Sequence, residues 1–213
     1  PILEGEIGAE LLAGVAKNSN THAMSFTYSG GYRVVPANFK ADTVEAWQGK
    51  SVRTSRSPVA VETFKAVGSN PVPMFIEDLE ASLESGKVDG GETTYTRFFV
   101  LGHDKQTSYI NDNEHSLFLT SLIINQRTWL ALGEKVQGIF ARAAMRAAQI
   151  ERNHSLADNV IIQKRAAEQG IPTVRMTANE KEKFVSATKG LYNKFNTYFS
   201  SGLLDQLTNG KLK

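Results

Sequence analysis

Along residues 4–17 the apolar side chains Ile7, Leu11, Leu12 and Val15 recur every three or four positions, which gathers them on one side of a helix. The period then shortens. Residues 22–28 predict a strand, Gly30-Gly31 a turn, and residues 32–35 a second strand. Asp42-Thr-Val-Glu-Ala-Trp47 predicts one helical turn ahead of a strand over Ser51–Thr54. Ser57-Pro58 predicts a helix start, with Ser as N-cap and Pro where a missing N–H costs nothing. Val61, Phe64 and Val67 form its buried stripe and Gly68 ends it. A short strand over residues 72–74 follows, then a helix striped by Ile76, Leu79 and Leu83 and closed by Gly86. Next comes a strand at Val88-Asp89, with Gly90-Gly91 as a turn at its end. Such β-α-β-α-β alternation within residues 50–98 predicts a mainly parallel sheet with helices packed on it.

The second half of the chain reads differently. A β-rich run over residues 116–124 is long enough to pass from one lobe to another. From Thr128 the pattern is helical, with Leu132, Val136, Ile139, Phe140, Ala143, Ala147 and Ile150 keeping the 3.6-residue period. Continuation through Ile161 to Ala167 gives either one very long helix or two helices with a bend near Asn153, closed by Gly170-Ile-Pro172. Thr177-Ala-Asn-Glu180 is a capping box that opens a last helix striped by Phe184, Leu191, Tyr192, Phe195 and Phe199.

Composition narrows the possible functions. The chain of 213 residues is 41% hydrophobic and 22% charged, an ordinary globular mixture. Its 24 basic and 22 acidic residues are scattered, with no basic block of the kind that tracks nucleic acid. Cysteine is absent, which excludes disulfides, thiol catalysis and Cys-based zinc sites. The longest apolar run, over residues 117–124, is broken by Thr120 and Ser121, so a soluble protein without direct membrane insertion is expected. The chain opens on Pro1 with no leader-like segment, so Pro1 is expected to be a processed terminus or the start of a fragment.

No catalytic fingerprint is present: Gly-x-Ser-x-Gly, a P-loop and a dinucleotide motif are all missing. His22, His103, His115 and His154 fall in no metal-ligand spacing, so neither a metal nor a cofactor is expected, and His115 reads as a hydrogen-bonded structural residue. Glu92 could act as a general base but has no histidine near it in sequence. Arg53 closes the 51–54 strand. Its guanidinium offers a permanently charged planar fork that matches a carboxylate, although a salt bridge to Glu or Asp uses the same chemistry. Arg33 after the Gly-Gly turn suits either a ligand contact or a surface position, and Thr93 either a ligand hydrogen bond or a helix cap.

Six stretches, in order and at near-fixed spacing, resemble the solute-binding proteins of TRAP transporters, DctP type. Gly30-Gly-Tyr-Arg33 is similar to that family's Asn-Gly-Phe-Arg turn, and Trp47-Gln-Gly-Lys-Ser-Val-Arg53 to its Leu-Lys-Gly-Leu-Lys-Ile-Arg strand. Ala66-Val-Gly-Ser-Asn-Pro-Val-Pro-Met74 resembles its Gly-Ala-x-Pro-x-Pro-Met segment, and Leu83-Glu-Ser-Gly-Lys-Val-Asp-Gly90 its Leu-Gln-x-Gly-x-Val-Asp-Gly run. Asn113-Glu-His115 resembles its Thr-Asn-His, and Asn125-Gln-Arg-Thr-Trp129 its strand-to-helix joint.

The resemblance implies an α/β, two-lobed periplasmic-binding-protein-like fold with mainly parallel sheets and a long lobe-spanning helix. Residues 1–30 would belong to lobe I and 31–115 to lobe II, which carries the carboxylate clamp. Residues 116–130 would return to lobe I, 131–170 form the interlobe helix, and 171–213 a C-terminal helical segment. On this resemblance the sequence is expected to correspond to the C-terminal two-thirds of such a protein, with the family's signal peptide and first strands of lobe I falling outside it.

By the same resemblance the protein would be a periplasmic, non-enzymatic receptor that closes over a small organic carboxylate and passes it to TRAP membrane permease subunits. Arg53 would fork onto the carboxylate and Arg33 assist. Thr93 would stand where the family has Asn, and Ile76 where it often has Phe, removing a stacking surface. Two other classes fit the same residues: a ligand-sensing module of a larger receptor, and a small α/β enzyme using Glu92 or His115.

Overall fold

The computed structural model describes residues 2–208; Pro1 and residues 209–213 at the end of the C-terminal segment lie outside the described residues. In chain order the elements are α1 (Glu6–Asn18), β1 (Thr21–Thr27), β2 (Arg33–Ala37), β3 (Ser51–Thr54), α2 (Pro58–Ala66), β4 (Asn70–Pro73), α3 (Leu79–Glu84), β5 (Gly90–Gly91), β6 (Thr93–Thr94), α4 (Tyr95–Phe98) and β7 (Tyr109–Asn111). After them come β8 (Thr120–Asn125), α5 (Gln126–Ala131), α6 (Gly133–Glu168), β9 (Thr173–Val174), α7 (Ala178–Thr188), α8 (Gly190–Phe195) and α9 (Leu203–Thr208). They form two compact units, one from the residues up to Gly31 with Leu117–Ala157, the other from Tyr32–Ser116 with the residues from Asp158 onward.

The second unit holds a sheet of order β4-β3-β5-β2-β7-β9, with β6 also paired to β2. The predicted β-α-β-α-β run is parallel as expected: β3 lies between β4 and β5 and runs with both. Parallel order also joins β7 to β9. The sheet as a whole is mixed, because β2 runs antiparallel to β5, β6 and β7. Pro71 and Pro73 suit β4 to the edge, since a proline cannot donate to a neighbouring strand.

The strand expected at Val88-Asp89 sits two residues later, and Gly90-Gly91 is the strand itself rather than a turn. Crowding explains this. A Cβ on Gly90 would lie 2.6 Å from the Ala37 Cβ, and one on Gly91 2.5 Å from a Leu79 methyl. Only glycine lets β5 enter between β3 and β2 beneath α3.

Alternation along the strands sorts the core onto the two sheet faces. Val35, Ala37 and Val52 pack with Phe39, Trp47, Phe64 and Phe184 on one face. Val34 and Ile110 pack with Tyr95, Phe98, Ala166 and Ile171 on the other. A third cluster of Met74, Leu79, Leu83 and Val88 carries Ile76 at its margin.

Capping departs from expectation in two places. Ser57 and Pro58 start α2, but the Ser57 hydroxyl makes no capping bond. Thr177 does accept from the Glu180 N–H, whereas the Glu180 carboxylate accepts from the Val44 N–H and ties α7 to the segment before Trp47. The predicted last helix is broken into α7, α8 and a 3-10 turn over Asn196–Tyr198, and α9 lies beyond it.

In the first unit β1 and β8 form an antiparallel pair with a bulge between Ala23 and Ser25. The long helix is continuous through Asn153; it contains no Pro or Gly from 139 to 168. The interruption falls instead at Leu132, before Gly133 (φ 71°). The face that α6 buries in this unit is its alanine face, Ala144 and Ala148, while Ile139, Phe140 and Ile150 stay exposed. Among the described residues no helix is long and apolar enough to cross a membrane.

Candidate functional site

The ends of β2, β3 and β6 bring Arg33, Arg53, Glu92 and Thr93 together. Arg33 is paired across the ladder with Thr94 and Val34 with Thr93, while Arg53 is paired with Gly91. Strand parity puts Arg53 on the face opposite Val52, where a Cβ on Gly91 would approach its Cβ to 3.0 Å. Arg33 shares the parity of Val35, so the two arginines leave the sheet edge from opposite faces.

Arg53 is 4% exposed. Its Nε and Nη2 donate to the Met74 carbonyl at 3.2 and 2.8 Å, and Nη1 donates to the Glu92 carbonyl at 2.8 Å. These bonds use three of the five guanidinium N–H groups and leave one on each Nη. The surface salt bridge that the sequence left open is not formed: among the described residues no carboxylate lies within ion-pair distance of Arg53, and its partners are main-chain dipoles. Burial lowers its pKa to about 10, with Glu92 acting in the opposite direction and Arg33 and Arg97 adding repulsion. The group remains a cation at neutral pH.

Glu92 is 1% exposed and fully occupied. Oε1 accepts from the Ser55 N–H at 2.6 Å and stands 3.8 Å from Arg33 Nη1, and Oε2 lies 3.2 Å from His115 Nε2. Burial alone would raise its pKa. His115, Arg33 and the Ser55 N–H outweigh that and hold it at about 2. The partner histidine that seemed missing from the sequence around Glu92 is therefore His115, 23 residues away. A carboxylate so acidic, with both oxygens engaged, makes a poor general base. His115 uses both ring nitrogens, the second against Asn113 Oδ1 at 2.9 Å, and packs edge-on to Phe64 at 5.1 Å, the structural role expected of it.

Thr93 caps no helix. It lies in β6, 1% exposed, and its Oγ1 has no partner among the described residues; Thr94 takes the N-cap position of α4. Ile76 sits in a 3-10 turn at the rim of the Met74 cluster. Its other neighbours include Phe99, Gly102 and Lys105, which line a shallow hollow with it.

Arg97 escaped sequence reasoning. On α4, three residues past Thr94, its charge is felt by both Arg33 and Arg53. Spacing after Glu92-Thr93 was the only available signal, and it is weak. His103 escaped as well. Its ring is fully buried with no partner for either nitrogen among the described residues, and burial, with Arg53 adding repulsion, lowers its pKa to about 4. Near neutral pH Arg33, Arg53 and Arg97 act on one another here against two carboxylates, Glu92 and Glu77, which leaves an excess of positive charge in a low-dielectric setting.

The sequence signature of the bacterial extracellular solute-binding proteins, family 7 (DctP), matches residues 2–198. A solute-binding protein of Chromohalobacter salexigens is 28% identical over 151 residues, covering 71% of this chain and 45% of its own. The chain spans about half the length of the curated relatives it matches.

The crystal structure of a TRAP periplasmic solute-binding protein from Xanthobacter autotrophicus, with bound β-D-galacturonate, is 26% identical. It aligns with a TM-score of 0.87 over 99% of this chain and 68% of that one. A second such protein, from Haemophilus influenzae with bound L-gulonate, is 22% identical with a TM-score of 0.88 over 99% of this chain and 69% of its own. These structures share the two-lobed α/β fold with its long helix.

Proposed function

The chain belongs to the bacterial extracellular solute-binding proteins of family 7, and from that premise we propose that it is a periplasmic receptor for a small organic carboxylate. The observation that carries this reading is the state of Arg53: a buried cation held flat by two main-chain carbonyls, with one N–H on each Nη uncommitted and no carboxylate of its own. A planar pair of donors of this kind accepts a carboxylate in two parallel charge-assisted bonds. The galacturonate bound by the Xanthobacter relative is an acid of this class.

Arg53 is the anchor. Arg33 supplies a second charge-assisted contact, Thr93 Oγ1 a neutral hydrogen bond, and Ile76 part of the apolar wall. Glu92 sets the geometry: its carbonyl fixes Arg53, and its carboxylate holds Arg33 and His115 without neutralising both arginines. No bond in the ligand is made or broken. Binding favours a closed state of the lobes, which a TRAP-type membrane permease recognises and unloads.

Native mass spectrometry of the purified protein tests the reading. A mass increment that dissociates as a carboxylic acid, and that is lost in Arg53→Ala, is the expected result. A retained ligand lacking a carboxylate, or one kept by Arg53→Ala, would overturn it.

A further inference from the structure

Next to Arg53, within the same unit, lies a hollow of about 340 Å³. Arg53 holds the Met74 carbonyl through two N–H groups, and two residues later the chain enters the 3-10 turn Ile76–Asp78. That turn brings Ile76 and Glu77 to the wall of the hollow. Phe99 and Val100 add apolar surface, and Lys105 and Glu80 complete its charged lining.

The charges of the hollow are not equivalent. Lys105 pairs with Glu80 at 3.4 Å, so those two offset one another. Glu77 is exposed and makes no hydrogen bond or ion pair among the described residues. Its charge nevertheless reaches Arg53 and steadies that guanidinium as a cation. Arg53 and Glu77 are thus opposite charges within electrostatic range that do not pair with one another. Each keeps capacity for a further partner: Arg53 one N–H on each Nη, Glu77 both carboxylate oxygens.

A ligand anchored by its carboxylate on Arg53 brings its other end into the field of Glu77. A second carboxylate there is repelled, a plain hydrocarbon end is indifferent, and a protonated amine is attracted. Repulsion of the wrong charge is as much a source of specificity as attraction of the right one.

We propose that Glu77 selects a zwitterionic acid, whose carboxylate lies on Arg53, whose protonated amine lies on the Glu77 carboxylate, and whose connecting carbons lie against Ile76. The inference rests on Arg53 being the carboxylate anchor. Because both charges belong to the protein's frame, the number of carbons between carboxylate and amine is selected as well.

Calorimetric titration of β-alanine, γ-aminobutyrate and δ-aminovalerate at pH 7 is the test. Each is measured beside the plain acid of the same length (propionate, butyrate, valerate) and beside succinate and glutarate. At one length the amino acid is expected to bind at least about tenfold more tightly than the plain acid, the scale of a hydrogen bond to a charged group. Glu77→Gln should erase that preference and let the dicarboxylates bind more tightly, a gain that mere damage to the fold would not produce. Asp78→Asn removes an equal charge from a neighbour that does not line the hollow, and should leave the preference intact. Equal affinity of amino and plain acids at every length, a preference that survives in Glu77→Gln, or no binding by any member of the series would overturn the proposal. Binding that Arg53→Ala does not weaken would instead overturn the carboxylate anchor on which it rests.

Discussion

Arg53 has exchanged its water shell for the carbonyls of Met74 and Glu92, and in the proposed role that exchange would let it hold an anion and also release it. A direct Glu or Asp partner would neutralise it; main-chain dipoles orient it and leave its charge in place. Glu92 makes the matching prediction about acid. Its pKa in the fold, about 2, lies below the ordinary 4.5, so its stabilising effect is complete above pH 4.5 and is lost as pH falls from there toward 2. The stability of the protein should fall by about 3 kcal/mol across that window on account of this group. In Glu92→Gln, urea unfolding should show a lower stability at neutral pH and a flatter slope between those values.

His103 acts in the adjoining window. Its pKa, about 4 against an ordinary 6.5, means that the fold loses stability as pH drops from 6.5 to 4, because the unfolded chain takes up the proton first. His103→Leu should be near-neutral or stabilising at pH 7, since neither ring nitrogen has a partner among the described residues, and should flatten the pH dependence of the melting temperature between 6.5 and 4.5, above the window of Glu92. An unchanged pH profile would rule out His103 as its source. The place of Arg53 on a buried strand was legible because it follows an apolar strand run inside a recognisable motif. The Glu92–His115 contact was not, because loops and strands spread over 23 residues bring the two together.

At the level of elements, the tightest constraint is β5. It is two glycines long, and the positions of β3, β2 and α3 all depend on its having no side chain. Gly90→Ala would drive a Cβ to 2.6 Å from the Ala37 Cβ and 2.9 Å from the Pro36 carbonyl oxygen, both on a neighbouring strand. A loss of about 1–3 kcal/mol in urea unfolding is expected, the scale of overpacking a rigid core. A wild-type midpoint in that variant would show that β2 can yield.

The same two glycines explain why the sequence placed this strand two residues early. Composition marks a glycine pair as a turn, and only the crowding around it shows that it is a strand. Helices were easier to read where an apolar stripe had a clear end, as in α2, whose Gly68 adopts φ 82°. The continuity of α6 was undecided by sequence because Asn153 and His154 resemble a bend, yet as exposed residues they cost the helix little.

For the molecule as a whole, every residue assigned to carboxylate binding falls within Tyr32–Ser116, one stretch of one compact unit. The account therefore stands or falls on whether this unit's arginines hold an acid. Isothermal titration of D-galacturonate, aldonates, 2-oxoacids and C4-dicarboxylates into the protein and into Arg53→Ala is the most direct measurement. The account predicts that at least one acid binds and that Arg53→Ala weakens it by about 2–5 kcal/mol, the scale for truncating one partner of a buried charge pair. Binding of none of these acids, or equal affinity in the two proteins, would contradict it.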